Sequence, residues 1–119
     1  MTMMPTLLVQ SSKAMDDAAR SKLLKEASKA VASVLKKPEA YVMVSYKSVD
    51  GMMFGGSEEP CAFVHLASIG RIGPDTNPTM SKTICEILEK HLDIPSNRVY
   101  IQFYDSSAAN FGWDKATFG

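Results

Sequence analysis

The residue with chemistry to offer first is Pro5, in the opening run Met1-Thr2-Met3-Met4-Pro5-Thr6-Leu7-Leu8-Val9. Within a chain its nitrogen is a tertiary amide, and a proline at the first position of an apolar strand does little harm to a sheet ladder. At a free N-terminus the same nitrogen is a secondary amine and therefore a base. An α-amino group has a reference pKa near ~7.7–8.0, and desolvation or a nearby cation lowers it by disfavouring the ammonium. The other reactive side chains point to less. Cys61 is followed by Ala62, Phe63 and Val64, so no C-x-x-C supports thiol–disulfide exchange, and Cys61 and Cys85 are both expected to be reduced thiols. His65 and His91 lack partners at metal-ligand spacing. Neither a metal nor a cofactor is expected.

The 119 residues, 45% hydrophobic and 22% charged, suit a single domain over residues 1–119. Thirteen basic residues balance thirteen acidic ones, so overall charge favours neither nucleic acid nor an anionic membrane as partner. A small molecule or another protein is expected instead. No apolar stretch approaches the ~20 residues that span a bilayer, and the first residues carry no basic signal-peptide region. These features predict a soluble, cytoplasmic protein, with secretion lacking a signal peptide as the other route.

The elements that must position any site emerge from an internal duplication. Two halves, about residues 5–56 and 62–113, align without a gap at an offset of 57 that carries Pro38 onto Pro95 and Val42 onto Val99. The same offset carries Leu7, Val9 and Ser11 onto Val64, Leu66 and Ser68, and Leu23, Ala27, Val31 and Leu35 onto Met80, Ile84, Leu88 and Leu92. Each half reads strand, helix, strand. Apolar residues recur at helical spacing from Asp16 to Leu35 and from about Thr79 to His91, and Pro38 and Pro95 lie just beyond the two ends. Runs at Tyr41–Tyr46, Ala62–Ser68 and Val99–Tyr104 are rich in β-branched and aromatic residues and read as strands. Two such units predict an α/β fold: a four-stranded sheet with both helices on one face. The strands are apolar at most positions, so the other face is expected to be covered by association into a closed symmetric oligomer. The aromatic tail Phe111-Gly112-Trp113 to Phe118 is expected to dock on its own or a neighbouring subunit.

Taken in order, Pro5, Lys37-Pro38, Phe54-Gly55-Gly56-Ser57-Glu58-Glu59-Pro60-Cys61-Ala62, Ser68-Ile69-Gly70, Arg98-Val99-Tyr100-Ile101 and Ala108-Ala109-Asn110-Phe111-Gly112-Trp113 resemble the macrophage migration inhibitory factor family of the tautomerase superfamily. The resemblance spans Pro5 to Gly119. It implies duplicated β-α-β units in a mixed sheet, a homotrimer, and active sites at subunit interfaces. It also implies keto–enol isomerisation of phenylpyruvate- or dopachrome-like substrates, small aromatic α-keto acids or enols. A protein receptor is the other partner it implies, with a cytokine-like, protein-binding trimer of vestigial tautomerase activity as the alternative.

That reaction needs a base that removes a proton α to a carbonyl and returns it, with cations or donors stabilising the enolate between. By resemblance Pro5 is the base. Lys37 depresses the amine pKa and binds a carboxylate or the developing enolate; taken alone, it also reads as a solvated lysine at a helix C-terminus, a role that suits Lys36. Ile69, beside Ser68, presents a backbone N–H to substrate. Tyr100 comes across an interface, Gln102 stands where the best-known animal members carry asparagine, and Tyr41, Phe111, Trp113 and Phe118 form an aromatic wall. Ala67 replaces a common histidine, and Val64 the second cysteine of the animal C-x-x-C. Because an internal proline nitrogen is no base, the assignment further expects a mature chain that begins at Pro5, through a start at Met4 and loss of that methionine, or through trimming.

Overall fold

The computed structural model describes residues 4–119; the Met1-Thr2-Met3 part of the expected N-terminal extension lies outside the described residues. The chain runs β1 (Thr6–Ser11), α1 (Asp17–Leu35), β2 (Met43–Ser48), β3 (Ala62–Ser68), α2 (Asn77–Leu92) and β4 (Val99–Asp105), then a short hairpin of β5 (Gly112–Trp113) and β6 (Ala116–Thr117). The four long strands form one sheet in the order β2-β1-β3-β4. Each strand–helix–strand unit pairs its own strands in parallel, and the two units meet through antiparallel β1 and β3.

The duplication holds down to the register. Thr6 faces Met43 in the first unit and Phe63 faces Tyr100 in the second, each position advanced by 57. Leu8 and His65, themselves equivalent at that offset, face each other where β1 meets β3, so a local two-fold axis passes through that pair. The helix ends repeat as well. Lys36 and Asp93 both close their helices in the left-handed region, each at φ 55°, with their N–H groups turned back onto helix carbonyls. A single turn of 3₁₀ helix follows each proline, at Glu39–Tyr41 and Ser96–Arg98.

The starts of the helices differ more. Asp16 caps α1 rather than joining it, accepting the Ala19 N–H through Oδ1 at 2.7 Å. Helix α2 begins at Asn77, two residues before the expected Thr79, because Pro78 is accommodated in its first turn. The second strand begins at Met43, not Tyr41. The Tyr41 and Val42 N–H groups are taken by the Pro38 and Glu39 carbonyls, which closes a turn before the ladder can start.

Alternation along the strands divides the sheet into two faces. Leu7, Val9, Val64 and Leu66 turn inward and pack with Leu23, Val31, Leu35, Met80, Ile84 and Leu88 into a continuous core under both helices. The opposite face is open in the single chain: Met43 and Tyr100 are each 65% exposed. The hairpin turns at Asp114-Lys115, both at positive φ, as two-residue hairpin loops require.

The two left-handed helix ends carry residues with a Cβ where glycine is favoured. Lys36→Gly and Asp93→Gly are each expected to stabilise the fold by roughly 0.5–1 kcal/mol, because relief of steric strain exceeds glycine's entropic cost. Denaturant unfolding checks this, and the two increments should add because the sites are remote from one another.

Candidate active site

Position 37 shows how one half of the duplication was specialised. Its equivalent in the second half is Ile94, wholly buried in the core beneath the sheet. Lys37 occupies the same kind of position at 5% exposure. Its stem fills core space and its ammonium emerges at one sheet end, donating to the Ile69 carbonyl at 2.6 Å. Burial disfavours the charge and the Arg71 guanidinium adds to the effect, while Asp105 opposes it; the balance lowers the pKa from 10.5 to about 8. Lys36 is exposed at the helix end, as expected of the solvated neighbour.

Pro5 is buried at the same end of the sheet. Its carbonyl accepts the Met43 N–H at 3.0 Å, and the Thr6–Ala67 pair places it at the level of Ser68 on β3. Ser68 is wholly buried, its Oγ lacks a hydrogen-bond partner, and its carbonyl accepts the Ser106 N–H at 2.8 Å. Ile69 follows, half-buried, and then Gly70 and Arg71 both take positive φ as the chain turns away. The Gly70 N–H donates to Asp105 Oδ1 at 3.1 Å. Arg71 and Asp105 are the charged residues here that sequence reasoning passed over. Asp105 lies one residue beyond the strand expected over Val99–Tyr104, and Arg71 stands between Gly70 and Gly73 in the loop after β3.

The aromatic residues assemble beside this end. Tyr41 meets Trp113 edge to face with centroids 5.9 Å apart, Trp113 stacks on Phe118 at 5.9 Å, and Phe118 meets Phe111 at 6.2 Å. The Phe118 N–H also donates to the Phe111 carbonyl at 3.1 Å, fastening the end of the tail. The aromatic tail therefore docks on its own chain, through Tyr41, three residues beyond Pro38.

Two predicted residues do not join this cluster within the chain. Gln102 faces His65 in mid-sheet and Tyr100 faces Phe63 toward the far end, both on the open face. Tyr100 instead meets Phe54 at 4.9 Å. Arg98 holds the linking loop there, donating to the Ser57, Glu59 and Pro60 carbonyls and lying 5.3 Å from the Phe54 ring centroid. Among the described residues, no three His, Cys, Asp or Glu side chains come together to hold a metal, and both cysteines are free. No helix there is long and apolar enough to cross a membrane.

Comparison with known proteins matches residues 4–119 to the family model of macrophage migration inhibitory factor. The macrophage migration inhibitory factor of Xenopus laevis is 43% identical over 102 residues, 86% of this chain and 89% of that protein. The homologue from Brugia malayi is 43% identical over 99 residues, covering 83% and 86% of the two chains. Among solved structures, macrophage migration inhibitory factor of Toxoplasma gondii superposes with a TM-score of 0.92 at 40% identity, over 95% of this chain and 99% of that one. The homologue from Prochlorococcus marinus gives 0.91 at 37% identity, over 96% and 99%. A match of this length and identity, on a chain that repeats the duplicated fold throughout, shows that the protein belongs to the macrophage migration inhibitory factor family.

Proposed function

We propose that the protein is a keto–enol tautomerase acting on small aromatic α-keto acids or enols of the phenylpyruvate or dopachrome type. The observation that carries this reading is Lys37: a cation set at a core position, at the sheet end where Pro5 is buried and Tyr41 meets the aromatic tail. A lysine there costs stability that an isoleucine at the equivalent place does not, which is the pattern of a residue kept for chemistry.

In this reading Pro5 is the base in a mature chain that begins with it. A family match that starts at Met4 supports a start there followed by loss of that methionine. The neighbouring Lys37 ammonium and the apolar surroundings keep the proline amine unprotonated at neutral pH. The amine takes the proton α to the carbonyl and returns it to the other end of the enolate, so the reaction is redox-neutral and needs no cofactor. Lys37 and the Ile69 N–H hold the carboxylate or the enolate oxygen. Tyr41, Phe111, Trp113 and Phe118 take the ring. A homotrimer completes the site and covers the open sheet face, with Tyr100 and Gln102 supplied by a neighbouring subunit.

The second reading is a cytokine-like trimer that binds a protein receptor, with vestigial or absent tautomerase activity. It requires release from the cell, where the first reading is served by a cytoplasmic protein.

For a chain beginning at Pro5, phenylpyruvate tautomerisation is the direct test. Pro5→Gly is expected to lower kcat/KM by about 100-fold or more, and retention of Met4 by a comparable factor. Lys37→Ala should act mainly through KM. Equal turnover by the parent, Pro5→Gly and the blocked chain would remove Pro5 as the base.

A separate prediction concerns stability. Below about pH 8 Lys37 is protonated in both folded and unfolded chains, and the folded state bears the full cost of its burial. From there to its ordinary 10.5 the folded lysine has released its proton while the unfolded one still holds it, so this residue's contribution to stability rises with pH. Lys37→Met should therefore be more stable than the parent at pH 7, on the order of 1 kcal/mol once solvent screening of the partly solvated ammonium is allowed for, and the difference should shrink toward pH 10.5. Denaturant unfolding at the two pH values measures it.

A further inference from the structure

The duplication supplies an internal control for the loop that follows each central strand. After β1, the Lys13 N–H donates to Ser11 Oγ at 3.0 Å, and that hydroxyl is paired with the Tyr46 hydroxyl, which itself donates to the Lys13 carbonyl. Three neutral groups thus close the first loop. After β3 the equivalents of Ser11, Lys13 and Tyr46 are Ser68, Gly70 and Phe103. Phenylalanine has no hydroxyl, Ser68 Oγ is left buried without a partner, and the Gly70 N–H goes elsewhere, to Asp105 Oδ1 at 3.1 Å. The equivalent of Asp105 is Ser48. The anchor of the second loop has been moved from a local hydroxyl to a carboxylate on another strand.

The first loop shows that neutral groups hold such a turn in place. A carboxylate adds charge, and it does so where Lys37 donates to the Ile69 carbonyl and Arg71 bears on the same ammonium. The base of Asp105 is fixed by the β3–β4 ladder, which pairs it with Ser68 and continues through the Ser106 N–H to the Ser68 carbonyl.

We propose that Asp105 is a positioning residue for the site: its carboxylate, anchored on the Gly70 N–H, fixes the Ile69–Gly70 peptide that in turn holds the Lys37 ammonium. The Ile69 carbonyl then meets Lys37 in one geometry, and the two cations, Lys37 and Arg71, are partly balanced when no substrate is present. Asp105 touches no reacting atom. Its kinetic consequence rests on the tautomerase reading; its effect on the loop does not.

The test uses two readouts on the full chain and a third on a chain beginning at Pro5. In Asp105→Ala, exchange of the Gly70 amide hydrogen should quicken about tenfold through loss of a charge-assisted hydrogen bond, and the Lys37 titration midpoint, followed by NMR of its side chain, should fall. Asp105→Asn keeps an acceptor but not the charge, so it should restore the slow exchange and leave the midpoint low. In the kinetic arm, Asp105→Ala should raise KM for phenylpyruvate several-fold with kcat largely kept, because a substrate-holding group is misplaced rather than removed, and Asp105→Asn, which keeps the loop anchored, should raise it less. Parent-like exchange and titration in Asp105→Ala would overturn the proposal, as would an unchanged KM in an active enzyme whose loop readouts had moved. If both loop readouts move and the parent does not turn over phenylpyruvate, the positioning role stands and the tautomerase reading fails.

Discussion

The antiparallel pairing of β1 with β3 is the constraint on which everything else depends. It joins two β-α-β units that each bury one face, and it does so about a local two-fold through Leu8 and His65. Given that register, right-handed crossovers carry both helices to the same side, so a single core forms beneath them. The pairing also decides which chain ends meet. Pro5 at the start of β1 comes level with Ser68 at the end of β3, and the loop after Ser68 then lies within reach of a side chain from the end of α1.

Near-symmetry makes the departures from it legible. At the core positions the two halves pair apolar residues, Leu7 with Val64, Val9 with Leu66 and Leu35 with Leu92. Three departures in kind meet at one end of the sheet: lysine for isoleucine at position 37, an orphan hydroxyl at Ser68, a carboxylate for a hydroxyl at Asp105. Each is a small loss of stability relative to its counterpart, since an isoleucine, a paired serine and a neutral anchor serve the fold as well or better. They lie around the Lys37 ammonium, at the end of the sheet proposed as the site.

The open face of the sheet follows from the same architecture. Both helices lie on one side, so no helix of the chain covers the outward residues of the four strands. Met43, Phe63, Tyr100 and Tyr104 are exposed there, and three or more such side chains on a continuous sheet call for a partner. The far placement of Tyr100 and Gln102 from Lys37 is consistent with a site completed between chains.

The sequence by itself determined the repeat, the two helices and their end signals, the four strands and the family. These rest on local periodicity and on short motifs, and both are read along the chain. It also singled out Pro5, Lys37, Ile69 and the aromatic tail, although only a resemblance distinguished Lys37 from an ordinary helix-end lysine. What the tertiary structure decided was which groups share a space. The burial of Lys37 at a core position, its bond to the Ile69 carbonyl, the pairing of Gly70 with Asp105 and the meeting of Tyr41 with Trp113 join residues far apart in sequence. No periodicity encodes such contacts. They depend on strand register and on where a loop is pinned, and those are settled only when the two halves pair.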